Sequence, residues 1–228
     1  MNHTQLICSG IQVLDDALNG GVKLGEILQI VGPGGVGKTT LALQFALNVA
    51  RKGNRVLYVN SESTFPILRL KQLAATDFPN LSPLITIISI QTFSDQIQLV
   101  KKLDRYLSTE VKLLVFDTIV SLYRKECGQG TDNILLNKKL NQQFGIIAHH
   151  LESNSFAVIV INQVRGDFSS DENYQPVANR ILSYWVDHSI EIARAESKGY
   201  REFKLLKEKE SEKTAFTLEL HELGFKEL

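Results

Sequence analysis

Residues 31–40 read VGPGGVGKTT, and this ten-residue stretch constrains the chain more than any other. Gly32, Pro33, Gly34, Gly35, Val36, Gly37, Lys38 and Thr39 satisfy G-x-x-x-x-G-K-[ST], with an apolar run before them and a helical pattern after. The chemistry dictates the spacing. Glycines let successive backbone N–H groups close on phosphate oxygens, Lys38 neutralises their charge, and the Thr39 hydroxyl helps hold magnesium at the helix N-terminus, where Thr40 follows. A strand, this loop and a helix in that order predict a nucleoside triphosphate site rather than a Gly-rich turn. The same loop serves transport, signalling, synthesis and DNA repair, so the rest of the chain must decide its use.

Short β-branched runs alternate with longer helical patterns, which predicts an α/β fold with a mainly parallel central sheet and helices on both faces. The predicted strands are 26–32, 55–60, 84–90, 112–118 and 156–164; the predicted crossover helices are 40–53, 94–109 and 134–154, with Gly53 as a helix stop. The polar stretch 165–180 is too long for an ordinary connection and predicts a functional loop. After it, 188–195, 200–208 and 215–223 alternate apolar and polar residues, predicting an antiparallel C-terminal flank. The 228 residues carry no internal repeat and no linker, so one domain is expected over 1–228.

Lys plus Arg number 25 and Asp plus Glu 25, so no global basic field marks a nucleic acid or membrane partner, and any DNA site must be local. Cys8 and Cys127 lack metal-ligand spacing and are expected to be reduced. No basic start with an apolar run opens the chain and no apolar segment is long enough for a bilayer, so a cytoplasmic, membrane-free protein is expected.

A nucleotide loop needs a second acid for magnesium. Asp117 ends the predicted strand 112–118, which is expected beside the strand 26–32; four apolar residues before it bury the strand and aim the acid at the phosphates, against the alternative of a simple strand-end cap. Glu62 follows strand 55–60 and is read either as the base that polarises the attacking water or as a solvated loop glutamate. Gln163, an amide at the end of strand 156–164, has a neutral group able to sense a phosphate oxygen; taken alone, a strand-end amide with no partner of interest is the stronger reading.

Four segments in order resemble the RecA superfamily of strand-exchange ATPases, and most of all its archaeal RadB group, over nearly the whole chain. They are SGIQVLDDALNGGVKLGEILQIVGPGGVGKTT, YVNSESTFPILRL, FDTIVSLYRKE and VIVINQV. The resemblance implies a RecA-like P-loop core without an N-terminal helical DNA-binding domain. It makes Glu62 the catalytic glutamate, Arg69 the residue packing near adenine, Asp117 the magnesium-binding acid, and Asn162 and Gln163 the sensors of the terminal phosphate. ATP and magnesium are the implied cofactors, weak ATP hydrolysis the activity, and single-stranded DNA and the main RadA-type recombinase the partners of an accessory repair and recombination protein. Asn60 stands where this group usually has Asp, Ala178 and Asn179 where it often has Gly-Gly, and residues 1–10 lack the Phe of a filament tether, which argues against long autonomous filaments.

Arg124 and Lys125, at the entrance to the first DNA-binding loop, and Arg165 and Arg180, in the second, are expected to meet backbone phosphates, with Tyr123, Phe168 and Tyr174 offering stacking surfaces. Asp167, Asp171 and Glu172 lie among them, so a solvated surface loop is the competing reading. Lys207 and Lys209 share one side of a predicted strand and resemble paired basic residues that reach a neighbouring subunit's ATP; ordinary solubilising lysines are the alternative. His149 and His150 are expected at a helix end, and Trp185, with apolar flanks, in core or interface. Two rival functions stay open: a KaiC-like signalling ATPase, which the segments around 117–124 and 160–164 fit less well, and an ATP-binding assembly partner that does not hydrolyse.

Overall fold

The computed structural model describes residues 5–127, 133–153, 155–164, 177–206 and 214–227. A short antiparallel pair, β1 (Leu6–Ile7) and β2 (Val22–Lys23), brackets α1 (Gln12–Ala17). The Asp15 carboxylate fixes this entry segment by accepting the Ser9 N–H at 2.7 Å and the Gly10 N–H at 3.1 Å.

A nine-stranded sheet forms the centre. Its parallel strands are β3 (Ile27–Gly32), β4 (Arg55–Asn60), β5 (Ile85–Ser89), β6 (Val111–Asp117), β7 (Ala157–Gln163) and β8 (His188–Arg194). Antiparallel β9 (Tyr200–Leu206), β10 (Thr214–His221) and β11 (Gly224–Lys226) extend one edge, giving the order β11-β10-β9-β8-β3-β7-β6-β4-β5. The fold is the expected α/β, RecA-like architecture with an antiparallel flank. Two expectations are corrected: the strand expected over 188–195 in the antiparallel flank is β8, which pairs parallel with β3, and β6, which carries Asp117, does not lie beside β3, because β7 is inserted between them. Asp117 meets the nucleotide loop across the strand ends instead.

Alternation along each central strand divides the apolar residues between two cores. Leu113 and Val115 pack on one face with α2 (Lys38–Arg51) and α3 (Ile67–Ala74), whereas Leu114 and Phe116 pack on the other with α5 (Phe93–Lys101), α7 (Asn133–Leu151) and α8 (Val177–Trp185). The small α4 (Phe78–Leu81) follows α3, and α6 (Ser121–Cys127) follows β6. Both faces are therefore dry, as continuous apolar strands require.

Three boundaries differ from the sequence reading. Helix α3 lies in a stretch read as connection, although Leu70, Leu73 and Ala74 form its buried stripe. The expected loop 165–180 gives way at Val177 to α8, where Ala178 and Leu182 are buried one turn apart. The expected strand 215–223 breaks after His221; Gly224, at φ 111°, returns the chain as β11, a left-handed conformation that suits glycine.

Candidate nucleotide site

Strand β3 ends at Gly32 and α2 begins at Lys38, so the glycine loop sits at a helix N-terminus, as the sequence predicts. Gly37 has φ 106°, and a methyl group there would lie 2.6 Å from the Phe225 ring. Only glycine fits both the backbone and the contact. Phe225 is itself fixed: its N–H donates to Gln44 Oε1 at 2.8 Å and its carbonyl accepts from Gln44 Nε2 at 3.1 Å. The C-terminal strand thus props the loop from below, a contact that local sequence pattern did not reveal. On another side the Arg201 guanidinium donates to the Val36 carbonyl at 3.2 Å, and Arg194 approaches within 3.6 Å of where a Gly35 methyl would stand.

The charged groups are buried before any ligand arrives. Lys38 donates to the Pro33 carbonyl at 2.6 Å; burial holds its ammonium below the ordinary lysine range, while Asp117 and Glu62 pull the other way. Asp117 Oδ2 accepts from Thr39 Oγ1 at 2.8 Å and from the Tyr58 hydroxyl at 2.8 Å. Burial raises the Asp117 carboxyl above its usual range and outweighs these two hydrogen bonds, which act against it. The Tyr58 phenol is pushed far up, first by burial and then by the adjacent Asp117.

These groups open onto a cleft of about 690 Å³. Lys38, Thr39 and Asp117 line one end together with Glu62 and Gln163; Pro66, Arg69 and the turn Leu220–Glu222 line the other. Glu62 is exposed, which both of its readings allow. A methyl on Gly34 would lie 3.3 Å from Gln163 Nε2, so the Gln163 amide lies against the glycine loop. Arg69 is tied down by four acceptors: Thr40 Oγ1 at 3.2 Å, Gln72 Oε1 at 2.6 Å, and the His221 and Glu222 carbonyls at 3.0 and 2.6 Å.

The oxygens present suit magnesium. Thr39 and Asp117 supply a hydroxyl and a carboxylate, the set that a hard ion takes when phosphate and water complete its shell. Beside Asp117 in the register, Asn60 donates from Nδ2 to the Glu62 carbonyl at 2.9 Å, but its buried Oδ1 has no donor among the described residues. Asn60 lines the cleft beside Asp117.

On the expected DNA side the structure corrects one assignment, Tyr123, and gives Arg124 partners inside the fold. Tyr123 is buried, with its ring edge-on to Phe93 at 5.9 Å and its hydroxyl bonded to Asn137, so it offers no stacking face. Arg124 lies on α6, not on an open loop, and is directed inward: it donates to the Gln163 carbonyl and, at 3.1 Å, to Asn162 Oδ1. Hydrophobic burial of the preceding Leu122 and Tyr123 turns α6 this way. Lys125 and Arg180 are exposed, the latter on α8 rather than in a loop. Arg165, Phe168, Tyr174, Asp167, Asp171, Glu172, Lys207 and Lys209 lie outside the described residues. His149 pairs with Glu152 at 3.4 Å on the helix surface, and Trp185 stacks on Phe144 at 6.5 Å, as expected of each. Among the described residues no helix is long and apolar enough to cross a membrane.

The model of the Rad51 family matches residues 2–217. The DNA repair and recombination protein RadB of Methanobrevibacter smithii is 35% identical over 198 residues, covering 85% of this chain and 82% of that protein. RadB of Methanococcus maripaludis is 33% identical over 186 residues, covering 81% and 84%. A crystal structure of the RadB recombinase superposes with a TM-score of 0.81 at 26% identity, covering 98% of this chain and all of that one. With the glycine loop, the Thr39–Asp117 pair and the Asn162–Gln163 strand end all in place, the chain belongs to the Rad51 family.

Proposed function

We propose that this protein is a RadB-type repair and recombination factor that binds ATP with magnesium, hydrolyses it weakly, and couples nucleotide state to binding of single-stranded DNA. The observation that supports this reading is the convergence of Lys38, Thr39, Asp117, Glu62 and Gln163 on one cleft at the N-terminus of α2. Backbone N–H groups of residues 34–39 receive the phosphates and Lys38 neutralises them. Thr39 and Asp117 would hold magnesium, which supplies charge stabilisation on the transferred phosphoryl group. Glu62 accepts a proton from water attacking in line, and Gln163 registers the terminal phosphate. The base lies toward Arg69 and Pro66, where the planar guanidinium offers a stacking face.

Lys125 and Arg180, with Arg165, contact the DNA backbone, and the protein acts as an accessory to the main RadA-type recombinase. Subunits associate so that Lys207 and Lys209 reach a neighbour's phosphates; unchanged ATP turnover in a double alanine variant of these lysines removes that role. The test of the whole reading is anisotropy of a labelled single-stranded oligonucleotide at two salt concentrations, with and without Mg·ATP. Saturable, salt-sensitive, ATP-responsive binding is expected, and absence of binding at low salt overturns it. Single-turnover hydrolysis by Glu62→Gln beside wild type separates an ATPase from a protein that only binds ATP: the variant loses hydrolysis and keeps nucleotide affinity.

A further inference from the structure

Strand β7 ends in two adjacent amides whose environments differ. Gln163 points its side chain at Gly34 of the nucleotide loop, and Asn162 is fully buried between two helices. Asn162 Oδ1 accepts from Arg124 on α6 at 3.1 Å, and Asn162 Nδ2 donates to Asn179 Oδ1 on α8 at 3.1 Å. A second donor of Arg124 bonds to the Gln163 carbonyl. The guanidinium has only donors, so it fixes which end of the Asn162 amide faces α6 and leaves the NH₂ for Asn179. The chain of bonds runs from α6 through the end of β7 to α8; its middle member is the Asn162 side chain, and Arg124 also holds the carbonyl of the next residue, Gln163.

We infer that Arg124 and Asn179 are positioning residues for Gln163: together they clamp the end of β7 so that the sensor amide is held against the glycine loop, and they tie both DNA-facing helices to that position. The inference deepens the proposed function and rests on it for the role of Gln163. It also gives Asn179 work that a glycine at that position could not do, because the clamp needs a side-chain oxygen on α8. Loss of either residue releases the β7 end without removing a group from the nucleotide cleft.

The test compares Arg124→Ala, Arg124→Lys, Asn179→Ala and Asn179→Asp in the full chain. Hydrogen exchange of the peptide covering 160–164 is measured first, without nucleotide or DNA. Both alanine variants are expected to speed it several-fold, and Asn179→Asp, which keeps an oxygen for Asn162, to restore most of the protection. Unchanged exchange in either alanine variant overturns the clamp. Kinetics and anisotropy then separate positioning from direct contact. Positioning predicts that ADP affinity stays within about twofold, that kcat falls, and that the ATP response of DNA binding is lost in Asn179→Ala as in Arg124→Ala. A direct phosphate contact predicts instead that Arg124→Ala weakens DNA binding equally with and without ATP while Asn179→Ala does nothing; that result overturns the inference. Wild-type protein that binds no DNA removes the functional reading alone, and the exchange data still decide whether the clamp exists.

Discussion

The nucleotide cleft and the expected DNA face use charge in opposite ways. In the cleft, Lys38 and Asp117 are almost completely buried, each wired to neighbours, and burial disfavours the charged form of both. On the other side Lys125 and Arg180 stand in solvent. Buried charge without its ligand costs stability, and a polyphosphate with its metal relieves that cost. Exposed charge costs little and returns little. The cleft is therefore built in advance for one ligand, whereas the exposed surface of α6 and α8 is tolerant, and the two should respond to mutation on different scales.

The largest effect is expected below the glycine loop. Phe225 meets Phe203 edge-on at 5.1 Å and covers Gly37, so Phe225→Ala leaves a cavity beneath the phosphate site. Unfolding in denaturant should show a loss of about 3–5 kcal/mol, and nucleotide affinity should fall with it. A loss under about 1 kcal/mol would mean that the loop is held without the C-terminal strand.

Next is ligand binding itself. At 100 times its Kd, Mg·ATP should stabilise the protein by about 2.7 kcal/mol, raising Tm by roughly 5–10 °C for a chain of this size. Single-stranded DNA alone should move Tm far less, which a thermal melt with each ligand checks.

A smaller stabilisation is expected from a change at Asp117. Its folded pKa lies above the ordinary carboxylate value, so the native state binds more protons than the unfolded state between the two pKa values, and stability falls as pH rises through that window. An asparagine oxygen in place of Oδ2 can still accept from Thr39 and Tyr58. Asp117→Asn should therefore stabilise the ligand-free protein at neutral pH by about 1 kcal/mol, the gain shrinking as pH drops to the ordinary carboxylate range, while Mg·ATP stabilisation disappears. Melts across pH test both halves.

What the sequence made legible follows the same division. Period, apolar runs and the glycine motif placed five of the six parallel strands and read the sixth, β8, as flank, and they did not give the neighbours, because strand order depends on which face each crossover takes; β7 between β3 and β6 leaves no local mark. Lys38, Thr39, Asp117 and Gln163 were readable since each ends a strand or opens a helix. Phe225 beneath Gly37, joined by contacts 188 positions apart in the chain, was not. Tyr123 was misread because an aromatic next to two cations has the composition of a nucleic-acid contact, whereas the helix phase that buries Leu122 and Tyr123 turns its ring inward. The polar run ending at Arg180 concealed α8, whose stripe of Ala178, Ile181, Leu182 and Trp185 starts only after Pro176.

The smallest effects belong to Lys125 and Arg180, and they bear most directly on the comparison. Each sits on a helix surface, Lys125 on α6 and Arg180 on α8, next to Arg124 and Asn179, which face inward. If they meet phosphates as point charges, each alanine variant should weaken single-strand binding only about two- to fivefold at low salt and lower the slope of log affinity against log salt by about 0.7. Folding stability should stay within about 0.5 kcal/mol. Both slopes must change, because a contact made by one helix alone would place the strand on only one side of the β7 end. A change for Arg180 without one for Lys125 would confine the DNA to the α8 side. No change for either would shift the interface to residues 165–176 and leave the exposed charges as solubilising surface.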